Sequence, residues 1–82
     1  MRGDFMTFAE RLKFLRCSIY LTQAELSALS GIPLGTIKGW ETDRQYPTLE
    51  HFSILEEFLK QNGADKWKTE ELRGIYLKCK TK

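Results

Sequence analysis

Phe5, Phe8, Leu12, Leu15 and Ile19 recur at spacings of three and four residues, which lays one apolar stripe along an amphipathic helix. Thr7 followed by Glu10 is a capping-box pair, so the pattern predicts a first helix over about residues 7–19, with Phe5 placed to staple its start. Leu21-Thr22-Gln23-Ala24-Glu25 repeats that signal and predicts a short second helix over about 23–29, ended by Ser30-Gly31. Pro33 suits the opening of a third, over about 33–41, in which Ile37 and Trp40 share a face. Gly35 and Gly39 weaken that helix by about 1 kcal/mol each against alanine unless packing or a close backbone approach offsets them. After a polar loop, Thr48 caps a fourth helix over about 48–61, striped by Leu49, Phe52, Leu55, Phe58 and Leu59 and stopped by Asn62-Gly63. A last helix is expected over about 69–79, capped by Thr69 and striped by Leu72, Ile75, Tyr76 and Cys79. No segment alternates apolar and polar residues as a strand does, and neither repeats nor a long linker divide the chain. The pattern describes an all-α bundle of five short helices in a single domain, residues 1–82.

Composition narrows the function. At 82 residues, 41% hydrophobic and 29% charged, the chain has the balance of an ordinary soluble domain. No apolar run approaches the roughly 20 residues of a membrane helix. Met1-Arg2-Gly3-Asp4 leads straight into Phe5-Met6-Thr7-Phe8 with no signal-peptide core, so the expected compartment is the cytoplasm. The only histidine is His51, and Cys17 and Cys79 stand 62 positions apart, without the spacing of a zinc site. A reducing cytosol makes free thiols the expectation. Phosphate-loop, dinucleotide and nucleophile-elbow motifs are missing, so no metal, no cofactor and no enzymatic activity is expected. The net charge of +2 is unevenly spread: residues 45–65 carry one positive and four negative side chains, residues 66–82 six and two.

The second and third helices, joined by Ser30-Gly31-Ile32, form a helix-turn-helix pattern, whose second helix matches the width of a DNA major groove. Leu21-Thr22-Gln23-Ala24-Glu25-Leu26-Ser27, then Gly31-Ile32, Thr36-Ile37 and Trp40-Glu41, resembles the phage-repressor and Cro-type (XRE) family, whose pattern runs L-T-Q-x-E-L-A … G-[VI]-x-x-x-T-I-x-x-W-E. Pro47-Thr48-Leu49 with Phe52, Leu55 and Leu59 resembles the family's fourth helix, so the likeness spans residues 7–62, with 63–82 as linker and C-terminal helix. It implies a lambda-repressor-like five-helix fold and a double-stranded DNA partner.

Residue by residue, the resemblance implies that Gln23, at the start of the second helix, donates to a DNA phosphate, a role also natural for a helix N-terminus. It implies a small residue at Ser27, a buried face at Ile37 and Trp40 with Leu26 as partner, and a structural ion pair between Arg16 and Glu41. The DNA-facing positions correspond to Leu34, Gly35, Thr36, Lys38 and Gly39, and the following loop, with Thr42 and Arg44, meets phosphates. Two departures stand out. Leu34, Gly35 and Gly39 lack hydrogen-bonding side chains, so base readout is expected to be sparse and to lean on DNA shape. Tyr20 stands where the family usually has glycine; a tyrosine at positive φ is strained, so a differently built turn is expected there.

Read without the resemblance, Gln23 is a solvated first-turn residue, Lys38 and Arg44 are ordinary surface cations, and Thr36 is helix filler. The C-terminal stripe either packs back on the domain or presents Leu77 with Trp67 or Tyr76 to a second subunit. Two functions compete. One is a sequence-specific regulator of phage or bacterial type, acting as a homodimer. The other is a protein-interaction module on the same fold, such as an antitoxin or a phage accessory factor.

Overall fold

The structure, a computed structural model, describes residues 7–80, and the side chains of residues 7–78. The staple expected of Phe5 and the side chain of Cys79 lie outside the described residues. Five helices follow in order: α1 (Phe8–Ser18), α2 (Gln23–Ser30), α3 (Leu34–Glu41), α4 (Leu49–Gln61) and α5 (Lys66–Lys80). No strand occurs among the described residues.

Local chemistry explains where the helices start. Thr7 and Thr22 each accept from the backbone N–H three residues on, while Glu10 and Glu25 reach back to the cap N–H, closing the two expected boxes. Thr48 caps α4 through the His51 N–H. The start of α5 corrects the sequence expectation. Asp65, not Thr69, is the cap: its carboxylate accepts from Trp67 N–H at 2.8 Å, which starts the helix at Lys66. Thr69 is fully buried one turn inside and donates its hydroxyl to the Asp65 carbonyl.

The ends of α1 and α4 share one device. After α1, Tyr20 N–H donates to Cys17 O and Leu21 N–H to Arg16 O; after α4, Gly63 and Ala64 repeat the pattern onto Lys60 and Leu59. These are Schellman ends, which place one residue in the left-handed region. Gly63 takes that conformation freely at φ 92°, whereas Tyr20 adopts it at φ 63° with a Cβ attached. The turn is therefore the ordinary one, built with an unfavourable residue, and not the alternative expected from the sequence. Tyr20 is 91% exposed, so no packing offsets the strain. Tyr20→Gly is expected to stabilise the domain by about 0.5–1 kcal/mol, the relief of strain less the greater entropy of an unfolded glycine, read as a shift in urea midpoint.

The core joins Phe8, Leu12 and Leu15 of α1 to Leu26, Ile32, Ile37 and Trp40 of the helix pair, and to Phe52, Leu55, Leu59, Leu72 and Tyr76 of the last two helices. Leu49 departs from its expected stripe and is mostly exposed at the first turn of α4. Helix α5 packs back against α1 and α4. Tyr76 stacks on Phe52 at 4.3 Å between ring centres and donates its hydroxyl to the Pro47 carbonyl at 2.9 Å. Arg73 grips the buried Glu56 carboxylate with two bonds of 2.9 and 2.8 Å. The C-terminal helix thus holds the far end of the loop that follows α3.

Candidate nucleic-acid interface

Ser27 sets the closeness of the α2–α3 turn. Its hydroxyl donates to Ile32 O at 2.6 Å, a bond available only to a small side chain at that spot. Gly31, at φ 84°, ends α2, and Pro33 begins α3 without a side-chain cap. Ile37 and Trp40 are buried, which turns the opposite side of α3 to solvent. His51 lies edge-on to Trp40 with ring centres 6.0 Å apart.

One ion pair fixes the end of α3 to the rest. Arg16 donates Nε and Nη2 to the two Glu41 oxygens at 2.8 and 2.9 Å, and Nη1 to the Leu21 carbonyl at 2.8 Å. The Glu41 side chain is 2% exposed and that of Arg16 9%. The hydrogen bonds to Glu41 raise the arginine's pKa above its ordinary value, against the opposing effect of burial. A raised folded-state pKa means this contribution is complete at neutral pH and is lost only in strong alkali. Gln23 joins the same carboxylate, its Nε2 donating to Glu41 at 2.9 Å. An amide carries a second N–H, which makes no hydrogen bond among the described residues.

The open face of α3 presents Gly35 and Lys38, continued by Thr42, with Leu34 and Thr36 half-buried on its flanks. Lys38 and Arg44 are exposed and enter no ion pair among the described residues. Thr42 spends its hydroxyl proton locally, on Lys38 O at 2.8 Å. A groove lined by Gly35, Lys38, Gly39, Thr42, Arg44 and Gln45 runs along this face.

The structure corrects the reading of Gly39 as an open contact. Gly39 is buried beneath the side chain of Gln45, whose Cδ and Cγ stand 2.8 and 2.9 Å from where a Cβ would be. Its carbonyl also gathers the loop, accepting from Arg44 N–H at 2.9 Å and Gln45 N–H at 3.2 Å, with Asp43 left-handed at φ 62°. This is a third Schellman end, and it sets the positions of Arg44 and Gln45. Gln45 was not among the expected site residues; the only cue in the chain is a helical glycine without an apparent partner. Gly35 differs, since a Cβ there meets nothing within 4 Å. Gly35→Ala is expected to raise stability by up to about 1 kcal/mol in thermal or urea unfolding, through helix propensity alone.

No described helix is long and apolar enough to cross a membrane, and no group of described residues is arranged to hold a metal ion. Comparison with curated proteins and with solved structures gives no match. A helix-turn-helix family model matches residues 12–64, from the middle of α1 through the end of α4, and so spans the Arg16–Glu41 pair, the α2–α3 turn and the loop that closes on Gly39. That match covers well over half of the chain, and with the five-helix fold and the position of α3 it establishes that the chain belongs to the Cro/C1-type (XRE) helix-turn-helix family of DNA-binding regulators.

Proposed function

We propose that this protein is a sequence-specific transcriptional regulator of phage or bacterial type that represses by covering promoter DNA. The observation that carries this reading is the open face of α3, which has Lys38 and Arg44 free of ion pairs among the described residues and Gln23 anchored at its C-terminal end. In this reading α3 enters the major groove, Gln23, Thr42 and Arg44 hold phosphates, and Leu34, Gly35, Thr36 and Lys38 face the bases. Leu34 suits a thymine methyl and Lys38 a guanine edge or a phosphate. The Arg16–Glu41 pair orients the helix and touches no DNA.

One module of this size covers little DNA, so a homodimer reading two half-sites about one helical turn apart is part of the proposal. Trp67 and Leu77 of α5, 76% and 50% exposed, are the surface proposed for pairing. The site of action is the bacterial nucleoid. Selection of bound sequences from random double-stranded DNA, with light scattering on the free and bound protein, tests this reading. A single enriched motif with two-fold symmetry and a dimer mass supports it. Recovery of no motif, with a stoichiometric protein partner retained by the Lys38→Glu, Arg44→Glu variant, would establish the interaction-module reading instead.

A further inference from the structure

We propose that Gln45 is a base-reading side chain, seated in the place of the one α3 lacks at Gly39, and that it recognises adenine. This role rests on the DNA-binding reading above and gives it a specific chemistry. A helix that reads bases needs donors and acceptors on its open face. On α3 that face has Lys38, a single flexible cation, with the Thr36 hydroxyl half-buried at its flank; just past its end stands Thr42, whose hydroxyl proton is already bonded to a backbone carbonyl. Gly35 and Gly39 contribute none.

Gln45 fills part of this gap from outside the helix. Its backbone N–H is tied to the Gly39 carbonyl, its side chain occupies the space a Cβ at Gly39 would take, and it is exposed at the groove shared with Lys38 and Thr42. Its amide makes no hydrogen bond to any described residue, so donor and acceptor are both available. A glutamine amide matches the N6 donor and N7 acceptor of adenine in the major groove, two bonds in one plane. Because the side chain already rests against the helix, it loses less rotamer freedom on binding than a free glutamine. Gly39 acquires a purpose here as well: any Cβ would push the Gln45 side chain off the helix.

The test compares sequences selected from random double-stranded DNA by the full chain and by Gln45→Ala, Gln45→Glu and Gly39→Ala, with circular dichroism confirming the fold of each. Affinities follow from fluorescence anisotropy on single-base-pair variants of the selected site. The expected result is one A·T pair in the selected site whose replacement weakens binding about tenfold or more, a preference that Gln45→Ala erases while the other positions keep theirs. Gln45→Glu shifts that position toward C·G, since a carboxylate accepts from cytosine N4. Gly39→Ala weakens the same preference with the amide still present in the chain. A Gln45→Ala motif identical to the parent's at every pair overturns the proposal. If the parent selects no motif at all, the DNA-reading function itself fails, and the two failures are thereby distinguished.

Discussion

Glu41→Ala is expected to destabilise the domain by about 3–5 kcal/mol in urea or guanidinium unfolding, the effect of removing one partner of a buried ion pair. The carboxylate accepts three bonds of 2.8 to 2.9 Å, two from Arg16 and one from Gln23, on a side chain almost closed to water. Without it the Arg16 guanidinium stays buried, holding the Leu21 carbonyl but facing no counter-charge. Small domains hold about 5–15 kcal/mol of net stability, so the loss is a large share of the total. Replacing both members, Arg16→Met with Glu41→Leu, is expected to cost much less, because the charges then leave together. The pair's value lies in geometry as much as in energy: it ties the end of α1, the turn after it and the end of α3 to one point. Arg16→Ala belongs to the same mechanism and is expected to act in the same direction.

The double variant Lys38→Glu, Arg44→Glu is expected to lower DNA affinity by about 100-fold or more near physiological salt, with stability changed by less than about 0.5 kcal/mol. Both cations are exposed and unpaired among the described residues, so folding does not depend on them. Removing a cation that neutralises a phosphate also lowers the salt dependence of binding, by roughly one unit of log–log slope. A fall of about one unit or more in that slope, from Arg44 at its phosphate, is therefore expected alongside the weaker affinity. An unchanged slope with weakened binding would assign them to bases instead.

Much of this fold is legible along the chain because its signals are local. Thr7 with Glu10 and Thr22 with Glu25 name their own helix starts, and the stripes through Leu12, Leu15, Phe52 and Leu55 name the buried faces. The start of α5 is less visible, since Asp65 and Thr69 are both acceptable caps and only the packing of Thr69 against the core decides between them. Tyr20 misleads for a different reason. Residue preference argues against a left-handed tyrosine, but the Schellman bonds onto Cys17 and Arg16, together with the Arg16 bond to Leu21 O, hold the turn in place. Gln45 was hidden because its position depends on where the loop folds back. That fold results from the Asp43 conformation, the gathering of three N–H groups on the Gly39 carbonyl, and the grip of Tyr76 on Pro47. None of these is a pattern of residue types at fixed spacing.

The near-neutral charge of the chain, +2, is compatible with DNA recognition, because the expected phosphate contacts are few and placed by helix ends and one loop. It also predicts that sequence-blind attraction to DNA is weak, which makes discrimination easy to read. The most direct test is a pair of titrations at about 0.15 M salt, using the selected site and a scrambled duplex of the same length and composition. Sequence-specific recognition through α3 predicts binding at least roughly a thousandfold tighter to the selected site. Equal affinity for the two duplexes would contradict it.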